Sequence, residues 1–208
     1  MCIVKLSDKA LHFPATTRNR DVIARVLKSY LPKSGNILEI GSGSGEHGVF
    51  FSKLFPNLNW QLSDIDPLNL ESIKAWIEYE GEQSKNIFTP LIVNASENFF
   101  LIRKVSAIIC INVLHISPWN VTTGLMRNTG KLLPPGGVLY LYGPYKINGD
   151  HTSHSNELFD SSLRSENAQW GVRNLEDICV EAVNNNLVLL KRIEMPANNQ
   201  SLIFHKKN

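Results

Sequence analysis

The chain has 208 residues, 43% of them hydrophobic and 19% charged, with a net charge of +2 at pH 7. That length suits one α/β domain with a sizeable core, and so small a charge leaves no electrostatic footprint for nucleic acid or a membrane surface. The start "MCIVKLSDKALHF" is not built as a signal peptide, no apolar run has the length of a membrane span, and Cys2, Cys110 and Cys179 lack the spacing of a zinc site or disulfide framework. A cytoplasmic protein with no membrane association, no nucleic-acid partner and no metal is expected.

In chain order, a first helix is expected over 20–30, preceded by "TTRNRD", where Asn19 or Asp21 is a natural N-cap. The run "NILEI" predicts a strand over 37–40, followed by glycines and a helix over 48–54. A strand over 59–63 runs into "SDIDP", where Asp66 caps and Pro67 opens a helix over 68–79. Strands follow over 88–93 and 107–111, the latter with Cys110 as a small core residue. A helix over 122–132 and a strand over 138–142 come next. A long polar loop leads to helices over 156–165, capped by Ser155 or Asn156, and over 175–184. Two final runs, 187–193 and 201–205, are joined by "EMPANNQ" with no helix between them, which reads as an antiparallel hairpin. Apolar strands alternating with helices predict an α/β fold, a doubly wound, mostly parallel seven-stranded sheet with an antiparallel C-terminal strand. One domain over 1–208 is expected.

Ligands of such sheets bind beyond the carboxyl ends of the strands. The first of those ends, "LEIGSGSGEHG", holds two overlapping glycine patterns. Gly43, Gly45 and Gly48 match the dinucleotide fingerprint GxGxxG. Gly41, Gly43 and Gly45 form the other register, in which the first glycine directly follows the strand; there Glu46 stands where the fingerprint needs glycine. In this register Glu39 lies two residues before the glycines. A carboxylate there repels a pyrophosphate and suits a cationic ligand. The P-loop pattern fails, because no Gly-Lys-Ser/Thr follows. Asp64, at the end of the second strand, is placed to accept hydrogen bonds from ribose hydroxyls in either register.

"LEIGSGSG", "LSDIDP", "IVNASE", "AIICINVLHI" and "LLPPGGVLYLY", in this order, resemble the class I S-adenosylmethionine-dependent methyltransferases. The terminal hairpin agrees with the antiparallel last strand of that Rossmann-like fold. "TRNRDVIARVL", "LHISPW", "LYGPYKINGDHTSHSNELFD", "WGVRNLED" and "MPANNQSLIF" add a resemblance to the methyltransferase-like protein 26 family, whose substrate the resemblance does not supply. It implies S-adenosylmethionine as cofactor and S-adenosylhomocysteine as product. Glu39, Gly41, Ser42, Gly43 and Gly45 would face the amino-acid and sulfonium end. Asp64 would hold the ribose, Asn94 and Ala95 the adenine, and Asn112 the methionine moiety. Residues 1–35 would form an N-terminal helix and lid over a core at 36–208, with Arg18 or Asn19 reaching the ligand.

Methyl transfer needs an aligned acceptor and excluded water, and a base only where the acceptor still carries a proton. His115 is the candidate base, with packing against the sheet end as the alternative. Trp119, Tyr142, Tyr145, His151 and Asn156 are candidates for lining an acceptor pocket, in loops of the kind that carry binding residues on a rigid sheet. His151 and His154 have H-x-x-H spacing but no fixed acidic third ligand, so no metal site is assigned. Trp76 and Trp170 read as packing residues. The leading expectation is a methyltransferase acting on a small-molecule acceptor. The alternatives are a non-catalytic S-adenosylmethionine or S-adenosylhomocysteine binder and an NAD-dependent oxidoreductase. Oligomeric state has no signal in the sequence.

Overall fold

The computed structural model describes residues 6–80, 84–99 and 104–208; Cys2 lies outside them. The first helix, α1, spans Pro14–Tyr30 and starts six residues before the expected position. Pro14 explains this: its ring presets the helical φ, and its missing N–H is not needed in a first turn. "TTRNRD" therefore lies inside α1, and neither Asn19 nor Asp21 is its N-cap; Phe13 is. Thr16, Asn19, Ile23 and Leu27 form the buried stripe at helical spacing. Pro32 then pushes Leu31 into extended backbone and ends the helix.

Strand β1 (Gly35–Ile40), helix α2 (Glu46–Leu54), strand β2 (Leu58–Asp64) and helix α3 (Pro67–Glu80) follow. Asp66 accepts the Leu68 N–H at 2.9 Å, the cap expected there. Strand β3 is only Leu91–Ile92. The expected longer strand fails at Pro90, which has no N–H for the ladder; upstream, the Phe88 N–H still reaches the Trp60 carbonyl at 2.8 Å. Strand β4 (Ala107–Ile111) is buried throughout, with Cys110 only 2% exposed. A 3₁₀ turn at Leu114–Ile116, helix α4 (Trp119–Leu132) and strand β5 (Val138–Gly143) complete the parallel part.

The polar loop after β5 contains β6 (Tyr145–Lys146), which pairs with β7 (Arg173–Asn174) across helix α5 (His154–Glu166). Two-residue strands carry no periodicity, so the sequence could not announce them. Helix α5 is capped by Ser153, whose hydroxyl accepts the Asn156 N–H, rather than by Ser155 or Asn156. Helix α6 (Leu175–Asn184) precedes the hairpin of β8 (Leu187–Met195) and β9 (Asn199–Lys206). The hairpin turns at Ala197 and Asn198, both with φ of 57°.

The main sheet has seven strands in the order β3-β2-β1-β4-β5-β9-β8. Strands β1, β2 and β3 pair in parallel, while β9 is antiparallel to both β5 and β8. This is the doubly wound, mostly parallel sheet with an antiparallel end that the sequence predicts. The chain forms two compact units, one running to Val93 and including Val105–Ile109, the other running from Asn94 and resuming at Cys110. No helix among the described residues is long and apolar enough to cross a membrane.

Candidate functional site

The first unit gathers Glu39, Ser42, Gly43 and Asp64 at the carboxyl ends of β1 and β2. Gly41, Gly43 and Gly45 all adopt left-handed backbone, with φ of 66°, 55° and 91°. The alternation of glycines is thus a backbone requirement. It turns the loop so that the Ser42 N–H reaches the Ser63 carbonyl at 2.9 Å and the Gly43 N–H reaches Asp64 Oδ2 at 2.8 Å. The other Asp64 oxygen accepts the Asp66 N–H at 3.0 Å. A carboxylate offers about four lone-pair positions, so Asp64 keeps acceptor capacity after organising the loop.

Glu39 is 2% exposed. Its Oε2 accepts the Ser42 hydroxyl at 3.1 Å, and no cation pairs with it among the described residues. Burial pushes its carboxyl up to about 8; the Ser42 hydrogen bond works against that, and the charge of Asp64 adds to it. Gly48, outside the chosen register, has a packing reason to be glycine. A Cβ there would lie 2.2 Å from the Leu62 side chain and 2.6 Å from Glu39 Oε2. Its absence lets α2 close onto the strands beside Glu39.

Over the glycine loop runs the segment before α1. The Leu11 N–H donates to Ser72 Oγ at 2.8 Å, and the Trp76 indole N–H donates to the Leu11 carbonyl at 2.9 Å. His12 Nδ1 lies 2.8 Å from Glu46 Oε1, and the Phe13 N–H donates to Glu46 Oε2 at 3.1 Å. The Phe13 ring then covers Gly43, 2.9 Å from where a Cβ would sit. Glu46 and Phe13 escaped the sequence reading. An acid in the first turn of a helix usually reports only on the dipole, and a lone aromatic before a helix carries no motif. Asn19 is brought elsewhere: its amide oxygen lies 2.7 Å from Nε2 of buried His47 on α2. Burial and the neighbouring Arg20 charge lower His47 to about 4.

The second unit holds the remaining candidates. Asn94 closes a local turn, accepting the Ser96 N–H at 3.1 Å and hydroxyl at 2.8 Å and donating to Glu97 at 2.8 Å. Ala95 is buried, with its carbonyl 2.2 Å from where a Cβ on Gly124 of α4 would lie. Asn112, with φ of 58°, donates its N–H to the Tyr142 carbonyl at 2.8 Å. Gly143 has Asn112 Oδ1 and His115 Nδ1 close by, 3.7 and 3.2 Å from its would-be Cβ, so Asn112 and His115 converge there.

His115 is 6% exposed and packs edge-on against Phe159 at 5.4 Å. Burial, then the charge of Arg173, lowers it to about 4, so the ring is neutral at physiological pH. Arg173, which sequence reasoning missed, donates to the carbonyls of Leu114, Ser117 and Gln169 and lies 5.9 Å from the Trp119 ring. It staples the loop that carries His115 and Trp119. Trp119 itself is 36% exposed.

Tyr142 and Tyr145 are interior residues, each 3% exposed. Buried Asn156 is spent on Thr152 Oγ1 and the Asn198 carbonyl, both at 3.0 Å, tying α5 to the hairpin turn. His151 turns to Asp160 at 3.3 Å and exposed His154 to Glu157 at 3.1 Å, so the H-x-x-H pair diverges. Among the described residues no three His, Cys, Asp or Glu side chains are grouped to hold a metal.

A family model described as protein of unknown function (DUF938) matches residues 10–206. Three solved structures share the fold. An O-methyltransferase family protein from Burkholderia thailandensis is 14% identical with a TM-score of 0.78, over 93% of this chain and 58% of its own. Human N-acetylserotonin methyltransferase in complex with SAM is 12% identical with a TM-score of 0.77, over 93% and 53%. An O-methyltransferase family 2 protein from Planctomyces limnophilus, complexed with apigenin, is 18% identical with a TM-score of 0.74, over 92% and 60%. The chain spans a little over half the length of each, and at these identities the likeness is one of fold: the Rossmann-like fold of class I methyltransferases.

Proposed function

The chain belongs to the family described as protein of unknown function (DUF938), and from that premise we propose that it is an S-adenosylmethionine-dependent methyltransferase acting on a small-molecule acceptor. The observation that carries this reading is Glu39: a buried carboxyl, beside a loop of left-handed glycines, with no cation to pair with among the described residues. Leaving an acid there costs folding free energy. A ligand with an ammonium or sulfonium group repays that cost, and a pyrophosphate raises it. When bound, S-adenosylmethionine supplies a methyl group already activated by its sulfonium.

The residues of the first unit bind and orient. Glu39 takes the cationic end, the glycine backbone allows close approach, Asp64 uses its remaining acceptor positions for ribose hydroxyls, and Phe13 lies over Gly43. The family resemblance also implies cofactor roles for Asn94, Ala95 and Asn112. Near Gly143, Asn112 and neutral His115 offer hydrogen bonds that orient an acceptor. A ring lowered to about 4 takes up a proton poorly, so the favoured acceptor releases its proton to water or has already lost it. The small net charge supports a small molecule over a polyanion.

The first test is thermal. S-adenosylhomocysteine raises the melting temperature of the wild type, Glu39→Gln reduces that rise, and NAD produces none; a rise with NAD alone overturns the reading. The second uses a metabolite extract with methyl-labelled S-adenosylmethionine, followed by mass spectrometry. Tight cofactor binding with no labelled product would make the protein a binder rather than an enzyme.

A further inference from the structure

A concavity lies in the first unit at the far end of α2, away from the glycine loop. It has a volume of 520 Å³ and is walled by the C-terminal half of α1, the end of α2 and the turn into β2. That is within the range of about 300–1,000 Å³ typical of small-molecule sites. Its walls are apolar, including Leu31, Phe50, Leu54 and Phe55. Leu54 is 51% exposed, so its side chain is open to a ligand in the groove.

Three cations stand around these walls: Arg25, Lys28 and Lys33. None has an ion-pair or hydrogen-bond partner among the described residues. By contrast, Lys53 on the same helix as Leu54 is paired with Glu80 at 2.9 Å. The lining contains one acid, Asp21, so it carries a net positive charge. Arg20 adds a further positive charge 4.7 Å from the Phe50 ring.

From this pairing of an apolar cavity with unpaired cations, we propose a binding site for a small amphipathic anion, a medium-length aliphatic carboxylate whose chain lies along Leu31, Leu54 and Phe55 and whose head meets Arg25, Lys28 and Lys33. The chain supplies burial, the head supplies charge, and neither alone accounts for both features of the site. The site does not depend on the methyltransferase reading. It sits about 12 Å along α2 from the glycine loop, by the helical rise per residue.

The experiment is a calorimetric and NMR titration of the full chain with octanoate, 1-octanol and octylammonium. Octanoate is expected to bind best and octylammonium worst, with amide shifts confined to residues 21–33 and 50–58. Lengthening the carboxylate from hexanoate to octanoate tightens binding by up to about fourfold per methylene, from the transfer free energy of a buried CH₂. The double variant Arg25→Glu/Lys28→Glu, at exposed helix positions, weakens octanoate about tenfold or more. It leaves octanol binding and the S-adenosylhomocysteine response unchanged. Equal binding of octanoate and octanol would leave only an apolar groove open to another class of partner and overturn the proposal, as would an undiminished affinity for octanoate in the double variant.

Discussion

Glu39→Gln is expected to stabilise the protein in a pH-dependent way. The ordinary value for this carboxyl is 4.5, which the unfolded chain retains, while burial in the folded protein raises it to about 8. Below 4.5 both states hold the proton, and folding loses nothing to Glu39. As pH rises toward 8 the unfolded state gives up its proton and the folded state does not, so stability falls by about 1.4 kcal/mol per pH unit. Across that window the loss accumulates to a ceiling on the order of 5 kcal/mol and then levels off. Gln has nearly the same shape, can accept the Ser42 hydroxyl, and carries no charge to desolvate. Urea unfolding at pH 5, 6, 7, 8 and 9 should therefore show the variant ahead by less than about 1 kcal/mol at pH 5 and by several kcal/mol at pH 9. A stability difference that does not change between pH 5 and 9 would refute the reasoning. The same carboxyl predicts the ligand's behaviour. A cation beside Glu39 favours its ionised form, so S-adenosylmethionine affinity should rise with pH up to 8 in the wild type and stay flat in Glu39→Gln.

Asp64→Ala leaves the Gly43 and Asp66 N–H groups without their acceptor; urea titration should show a loss of about 2–4 kcal/mol, and the thermal response to S-adenosylhomocysteine should vanish. Gly48→Ala forces a methyl onto Leu62 and Glu39, with an expected cost of about 1–3 kcal/mol in chemical denaturation. Imidazole NMR should show His115 neutral down to about pH 4. Arg173→Gln should raise that midpoint by removing a nearby positive charge, and lower the melting temperature by freeing the carbonyls of Leu114, Ser117 and Gln169.

The sheet was legible because its central strands are buried on both faces and read as apolar runs, and because "EMPANNQ" has no room for a crossover helix. The glycine loop was legible from its register against β1. What sequence could not give were contacts made by residues far apart in the chain. Asn19 read as a cap because its type favours caps; only the partner His47, on another helix, shows that its oxygen is spent in the interior. Pro90 shortened β3 because a single missing N–H outweighs the β-propensity around it. Arg173 carries no local pattern at all. Its role exists only because β7 and the loop after β4 come together in the second unit.

The buried acids of the first unit separate scaffold from site. Glu46 accepts from the Phe13 N–H and the Ser44 hydroxyl and meets His12, so its carboxylate is spent holding the segment before α1. Asp64 accepts two backbone N–H groups and thereby sets the curvature of the glycine loop. Glu39, the least exposed of the three, has a single hydroxyl partner. If burial alone explained these acids, the deepest should be the best satisfied, since an unmet acceptor is costlier the drier its surroundings. The order is reversed. A fold that leaves its deepest carboxyl with the fewest partners, while its neighbours are used to build the loop around it, leaves that group in need of something the chain does not itself provide. A ligand cation removes the inconsistency, and the pH dependence of S-adenosylmethionine affinity in the wild type and Glu39→Gln tests it without requiring any knowledge of the methyl acceptor.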